Sequence, residues 1–198
     1  MKILDVVQGT PEWNAARCGI PTSSSFDKLI TIKGVPSKQK EKYLYTVAGE
    51  KVSGIKVETY QSFAMQQGVI KEEEARNYYK MLYDTEVQKV GFCLSDDGSY
   101  GCSPDGLVGK DGGLEIKCPE IHTHVGYMIK GNLLDDYFQQ AQGSLFVTGR
   151  KWWDIMSYFA GLRPVIIRVL PDKEFHRALE IELTNFCLEL KKIVDKIK

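Results

Sequence analysis

The chain has 198 residues, of which 43% are hydrophobic and 26% charged, a size and composition typical of a single globular domain. Its 26 basic and 26 acidic side chains give no net charge, which argues against a protein that coats nucleic acid non-specifically but allows a local basic channel. No apolar run approaches the roughly 18 residues of a membrane span, the first residues do not open a signal peptide, and the five cysteines lack CxxC spacing. We therefore expect a cytoplasmic protein with reduced thiols.

The first half of the chain is predicted to be helical. Thr10 before Pro11 is typical of a helix start, and Gly19-Ile20-Pro21 ends that helix. Further apolar residues recur at helical spacing. They predict three more helices, at residues 22–30, 37–52 and 62–83.

After residue 86 the hydrophobic period becomes that of β-strands. Strands are predicted at residues 87–94, 100–102, 105–107, 113–118, 151–158 and 165–170, with a turn at 95–98. Helices are predicted at residues 124–130, 133–148 and 172–197. This order favours an α/β (α+β) fold with a mixed central β-sheet flanked by helices.

Pro104-Asp105 and the later Glu115-Ile116-Lys117 form a pattern that suits phosphodiester cleavage. Side chains alternate faces in a strand, so Glu115 and Lys117 project together while Ile116 points into the core. Two carboxylates are the oxygen ligands that Mg²⁺ prefers, and a bound cation acidifies water. A lysine beside them can orient that water and offset developing charge.

The two carboxylates meet only in one hairpin register. If Asp105 lies opposite Glu115, their Cβ atoms are about 5 Å apart and residues 108–112 form the loop. A two-residue Asp111-Gly112 turn would instead place Val108 opposite Glu115 and turn Asp105 to the far face. We predict the longer loop; the alternative is a surface Glu/Lys pair with an aspartate in a turn.

Several motifs together resemble one nuclease family. The segments 102–107 and 113–119, Cys-Ser-Pro-Asp-Gly-Leu and Gly-Leu-Glu-Ile-Lys-Cys-Pro, are similar to the core of the lambda exonuclease / YqaJ-like viral recombinase family, within the PD-(D/E)xK superfamily. The likeness extends, in order, over roughly residues 7–170. Its other motifs are Trp13 and Arg17 with Gly19-Ile20-x-Thr22-x-Ser24, Gly68-x-x-x-Glu72-x-x-Ala75-Arg76, and Tyr137-x-x-Gln140-x-Gln142-x-Ser144.

The resemblance implies roles for individual residues at a metal site. Asp105, Glu115 and the backbone carbonyl of Ile116 would bind Mg²⁺, with Mn²⁺ as an alternative. Lys117 would contact the attacking water, and Glu72 would support the metal and its water shell. Gln140 would lie beside the nucleophile, although the choice among Gln139, Gln140 and Gln142 rests on alignment alone.

A pocket for a terminal 5′-phosphate is implied as well. It would comprise Arg17, Thr22, Ser24 and Ser103, since guanidinium and hydroxyl groups match phosphate oxygens. The chain departs from the family in one respect, because family members often carry an arginine shortly after Cys118-Pro119. Candidates for its replacement are His122, His124 and Lys130.

By this resemblance the chain is expected to be a single nuclease domain with a restriction-endonuclease-like core, divided into a helical part at 10–84, a catalytic core at 86–170 and a closing helix at 172–197. It would be an Mg²⁺-dependent 5′→3′ exonuclease that degrades one strand of duplex DNA to mononucleotides and leaves a 3′ overhang. The expected setting is phage-type recombination in a bacterial or phage-infected cytoplasm, as a ring-shaped homotrimer beside a single-strand annealing protein. The alternatives are a PD-(D/E)xK endonuclease of restriction or repair type and a catalytically dead module that binds DNA ends.

Overall fold

The computed structural model describes residues 1–57 and 63–198, the side chains of residues 63–70 excepted. The amino-terminal helices are α1 (Pro11–Arg17), a 3₁₀ helix (Ser23–Lys28), α2 (Lys40–Ser53) and α3 (Phe63–Tyr83). Thr10 caps α1 by accepting a hydrogen bond from the backbone N–H of Trp13, as the sequence predicts. Residue 62, the predicted start of the last of these helices, lies outside the described residues.

The remaining helices are α4 (Ile121–Lys130), α5 (Leu133–Thr148) and α6 (Lys173–Ile197). The strands are β1 (Lys2–Leu4), β2 (Val87–Gln88), β3 (Phe92–Leu94), β4 (Gly101–Cys102), β5 (Gly106–Val108), β6 (Gly112–Lys117), β7 (Trp152–Ser157) and β8 (Val165–Val169). Asp172 caps α6 through its side chain. No helix among the described residues is both long and apolar enough to cross a membrane.

The central sheet is mixed, which confirms the predicted fold class. Its five strands run in the order β2-β5-β6-β7-β8, and β6 and β7 are parallel while the other neighbours are antiparallel. A second sheet has the order β1-β3-β4. Its strand β1 is too short for a hydrophobic period to be visible in the sequence.

The predicted strand at residues 87–94 is wrong, because β2 and β3 belong to different sheets. The chain crosses between the sheets at Gly91, where a Cβ atom would collide with the backbone oxygen of Val6. Apolar residues at both ends of this segment therefore suggest one strand where the chain in fact changes sheet. The helix predicted at residues 22–30 is likewise shorter, a six-residue 3₁₀ helix.

Alternation along the central strands divides the core into two layers. Trp153 and Ile155 of β7 face the layer that contains α5, whereas Leu114 and Ile116 of β6 face the layer that contains Ala75 and Tyr79 of α3. An apolar stripe of α6 is buried against the first layer; it consists of Phe175, Leu179, Leu183, Phe186, Leu190 and Val194. Strand β6 thus lies between α3 and α5, and both helices can contribute side chains near its carboxyl end.

Candidate functional site

The β5–β6 hairpin has the register that brings the two predicted carboxylates together. Gly106 pairs with Leu114 and Val108 with Gly112, so Asp105 lies next in line, opposite Glu115. Asp105 Oδ2 accepts a hydrogen bond of 2.6 Å from the backbone N–H of Ile116. The loop is shorter than predicted, residues 109–111, because Val108 and Gly112 still pair; Gly109 takes a left-handed conformation there (φ +51°).

Glu115, Lys117 and Gln140 form a closed set of hydrogen bonds. Lys117 Nζ lies 2.8 Å from Glu115 Oε1, as expected for neighbours on one face of β6. Gln140 of α5 donates to the same Glu115 oxygen (2.5 Å) and accepts from Lys117 Nζ (3.1 Å). Glu115 is 5% exposed, so this arrangement is inside the molecule.

Negative charge is crowded at this point. Burial raises the pKa of Asp105 well above its ordinary value, and the neighbouring carboxylates of Glu115 and Glu72 raise it further. Burial opposes the charge of Lys117, but Glu115 and Asp105 outweigh it, so the pKa of this ammonium is raised. Glu115 Oε2 is buried without a hydrogen-bond partner. A cation at this position would satisfy that oxygen and relieve the repulsion.

The donor set fits a hard divalent cation. Asp105 and Glu115 offer carboxylate oxygens, and Ile116 offers a backbone carbonyl on the same strand. Within the described ranges no three His, Cys, Asp or Glu side chains are grouped closely enough to hold a metal by themselves. Mg²⁺ is commonly held by one or two carboxylates and keeps several waters, so this sparse set suffices.

Helix α3 adds a third carboxylate and an arginine whose position the sequence did not reveal. Glu72 forms an ion pair with Arg76, which also donates to Glu73 Oε2 (2.6 Å). Arg76 Nε donates to the backbone carbonyl of Asp105 at 3.0 Å. The i, i+4 spacing of Glu72 and Arg76 could predict their ion pair, but the contact between α3 and the hairpin depends on the tertiary fold.

The structure distinguishes the three glutamines of α5. Gln140 contacts Glu115 and Lys117, whereas Gln139 donates weakly to the carbonyl of Ile30 (3.4 Å). Gln142, 1% exposed, donates to the carbonyl of Leu170 and accepts from the N–H of Asp172. Of these three side chains, only that of Gln140 contacts Glu115 and Lys117, and its role stays a prediction.

The residues of the predicted phosphate pocket lie around α1 and the 3₁₀ helix. Arg17 Nη2 is 3.5 Å from Ser24 Oγ, which is 3.2 Å from Thr22 Oγ1. Burial lowers the pKa of Arg17, and its Nε is buried without a partner. Ser103 is joined to this group through Trp13, whose indole N–H donates to Ser103 Oγ at 3.1 Å.

His124 does not replace the arginine that is absent after Cys118-Pro119. It is fully buried, and its two ring nitrogens lie 2.7 Å from Ser157 Oγ and 3.1 Å from the carbonyl of Arg163. His122 is 75% exposed and pairs with Glu120. Among the described residues, Arg17 is therefore the one guanidinium that contacts the predicted pocket hydroxyls.

Comparison with known proteins places this geometry in a family. The sequence profile of the YqaJ-like viral recombinase domain matches residues 12–151. The chain is similar to LHK-Exo, an alkaline exonuclease from Laribacter hongkongensis: 30% identity, TM-score 0.85, covering 95% of this chain and 96% of that one. A second LHK-Exo structure, in complex with dAMP, matches at 30% identity over 96% of each chain, again with a TM-score of 0.85.

A phage-related exonuclease from Haemophilus somnus 129PT shares the fold at 13% identity, with a TM-score of 0.72 over 93% of this chain and 99% of that one. No curated protein matches the chain.

Proposed function

Because the chain belongs to the YqaJ-like viral recombinase domain family, we propose that it is a divalent-metal-dependent exonuclease that degrades duplex DNA from its 5′ ends. The observation that carries the proposal is the convergence of Asp105, Glu115 and Lys117 beside the unpartnered Oε2 of Glu115. The likeness to LHK-Exo, an alkaline exonuclease, supports the same conclusion.

The side chains divide the chemistry between them. Asp105, Glu115 and the carbonyl of Ile116 would hold Mg²⁺ or Mn²⁺, which when bound acidifies a water and polarises the phosphoryl oxygen. Lys117 holds the attacking water and stabilises negative charge as the scissile bond breaks. Gln140 keeps Lys117 and Glu115 in their relative positions, and its amide can also orient the water. Glu72 adds negative charge beside Asp105, which strengthens the attraction for a cation.

Direction of attack follows from the phosphate pocket. Arg17, Thr22, Ser24 and Ser103 would bind the terminal 5′-phosphate, so the strand enters by its 5′ end and leaves a 3′ overhang. The partly buried Arg17, with an unpartnered Nε, supports an anion as the missing partner. The LHK-Exo complex contains dAMP, a deoxynucleoside monophosphate, which is the kind of product that such cleavage releases.

At the level of the whole protein, we propose that residues 1–198 act as one nuclease domain in a homotrimeric ring around DNA. A ring through which duplex enters and one strand reaches each metal site would give directionality without sequence recognition. The resulting overhang suits recombination by a single-strand annealing protein in a bacterial or phage-infected cytoplasm. The family name, a viral recombinase domain, supports that setting.

The proposal is tested with a linear duplex labelled at either end, incubated with and without Mg²⁺. We expect 5′-terminal mononucleotides first, shortening of one strand at each end, and no reaction in EDTA. Asp105→Ala and Lys117→Ala should each lower the rate at least about 10³-fold. Asp111→Ala, in the same hairpin but paired with Lys151 away from the site, is the matched control and should keep wild-type activity.

A covalently closed circular duplex separates the rival functions. An exonuclease leaves the circle intact, whereas a PD-(D/E)xK endonuclease linearises it. A DNA-end-binding module would retain the linear duplex in a gel shift and degrade neither substrate. Degradation that starts from 3′ ends, or that persists in Asp105→Ala, would contradict the proposal.

A further inference from the structure

Trp13 contacts both halves of the predicted phosphate pocket. Its indole ring lies 3.9 Å from the centre of the Arg17 guanidinium, in a stacked cation–π geometry. The N–H at the ring edge donates to Ser103 Oγ and to the carbonyl of Gly91, each at 3.1 Å. One side chain of α1 therefore touches a helix residue four positions onward and a loop residue far along the chain.

Arg17 has few other contacts that fix its orientation. None of the ion pairs among the described residues involves its guanidinium, and its contact with Ser24 Oγ is long, at 3.5 Å. Its Nε is buried without a partner. A flexible arginine side chain loses considerable rotamer entropy when it is held in one place, and the stacked indole ring restricts where this guanidinium can lie.

Ser103 depends on the same ring. It lies between β4 and β5, two residues before Asp105, in a segment that also receives a hydrogen bond from Gln8 Nε2 to the carbonyl of Pro104 (2.8 Å). Ser103 Oγ accepts the hydrogen bond from the indole N–H on one side, so the hydroxyl hydrogen of Ser103 is free to donate to a ligand. Trp13 thus sets the hydroxyl to donate to an anion and holds the guanidinium beside it.

We propose that Trp13 is a positioning residue for recognition of a terminal 5′-phosphate, acting through Arg17 and Ser103. This inference rests on the proposed function. In this role Trp13 neither stacks on a DNA base nor serves only to stabilise the core. Both the face of its ring, which contacts Arg17, and its N–H, which contacts Ser103, are needed for phosphate recognition.

The test is equilibrium binding in EDTA, so that no strand is cut. Fluorescence anisotropy measures the dissociation constants of a linear duplex with 5′-phosphate ends and of the same duplex with 5′-hydroxyl ends. The ratio of the two constants is the phosphate preference. A residue that only stabilises the fold would change both constants together and leave this ratio unaltered.

The variants separate the two contacts of Trp13. Trp13→Phe keeps a ring under Arg17 but lacks the N–H, and should lower the phosphate preference about threefold, the effect of one modest hydrogen bond. Trp13→Leu removes both contacts and should lower it about tenfold, approaching the value for Arg17→Ala. Trp152→Phe is the matched control. Trp152 stacks on Arg168 at 3.8 Å in the same way but belongs neither to the proposed phosphate pocket nor to the proposed metal site.

The outcomes distinguish this inference from the function on which it rests. If the wild-type protein prefers phosphate ends and both Trp13 variants keep that preference, or lose affinity for both ends equally, Trp13 is not a positioning residue while the exonuclease proposal stands. If the wild-type protein binds both ends equally, the phosphate pocket itself is wrong, and the inference falls with it. Should Trp13→Leu unfold, as judged by its melting temperature, the ratio measured for Trp13→Phe decides.

Discussion

The carboxylate of Asp105 lies where its own charge is unfavourable. It is beside Glu115 and Glu72 and accepts one backbone hydrogen bond from Ile116, which does not compensate for burial and repulsion. Such local instability is common at functional sites, because a group held against repulsion binds its ligand more strongly. The raised pKa of Asp105 is thus a property of the metal-free protein that a bound cation should remove.

Asp105→Asn should stabilise the protein in EDTA while abolishing cleavage. The pKa of Asp105 is higher in the folded than in the unfolded chain, so the fold loses stability as pH rises and this carboxyl ionises. A neutral amide keeps an acceptor for the N–H of Ile116 and should add about 1 kcal/mol to the free energy of unfolding at neutral pH. Urea unfolding checks this.

Mg²⁺ should raise the unfolding free energy of the wild-type protein and leave that of Asp105→Asn nearly unchanged. An equal increase for both proteins would show that the cation binds elsewhere.

Alanine variants of the neighbouring residues Gln140 and Gln139 form a matched pair. Gln140→Ala breaks the bonds to Glu115 and Lys117 and should lower kcat about 10–100-fold, the range for residues that orient metal ligands. Gln139→Ala loses only a weak bond to the carbonyl of Ile30 and should change kcat less than about twofold. Steady-state kinetics on one linear duplex provides the comparison; similar losses for both would remove Gln140 from its proposed role.

Among the elements, α5 connects the proposed metal site with the proposed phosphate pocket. It carries Gln140 beside Glu115, and one turn later Gly143 packs against Phe26 of the 3₁₀ helix. Ser144 Oγ is also 3.1 Å from Ser23 Oγ, so the two helices meet through small residues. Because the 3₁₀ helix includes Ser24, the packing at Gly143 helps to set how far that hydroxyl lies from the carboxylates of Asp105 and Glu115.

Gly143→Ala should destabilise the protein, whereas Gly126→Ala should not. A Cβ atom at Gly143 would collide with the fully buried Phe26 ring, and overpacking of this kind costs about 1–3 kcal/mol. A Cβ atom at Gly126, inside α4, meets nothing within 4 Å, so alanine there should stabilise by up to about 1 kcal/mol through helix propensity. Thermal unfolding of both variants measures the difference, and equal melting temperatures would contradict the packing described.

For the whole molecule, charge and assembly are linked. The chain has no net charge, so local basic groups would have to provide its affinity for DNA, and the proposed ring of chains would add to it. A closed ring would keep a weakly bound duplex from escaping between cuts. The proposed trimer would therefore compensate for the weak electrostatic attraction between DNA and a chain without net charge.

We expect sedimentation equilibrium to give a mass of about three chains, and we expect a duplex that keeps free 5′-phosphate ends but carries a bulky adduct near each end to resist degradation, because it cannot thread into a ring. A monomer that degrades linear duplex processively would contradict the ring. The control is a duplex blocked at one end, which should be degraded only from the open end.

The sequence alone indicated the mixed sheet, most helix positions and the residues proposed for the metal site. These depend on local patterns: alternation in β6, helical spacing in α6, capping at Thr10, and the spacing from Asp105 to Glu115 that suits one hairpin register. The order of the motifs along the chain also identifies the family. Each of these signals lies within a few neighbouring residues or in their order along the chain.

Only the tertiary structure decided which distant residues meet. The split of residues 87–94 between two sheets depends on the contact of Gly91 with Val6, which no hydrophobic period records. Three further contacts depend likewise on how the layers pack: the bond from Arg76 to the carbonyl of Asp105, the bond from Gln140 to Glu115, and the position of Trp13 between Arg17 and Ser103. Which side chains are buried, and which hydrogen-bond partners they can reach, depends on the packed core and is therefore fixed only when the chain is folded.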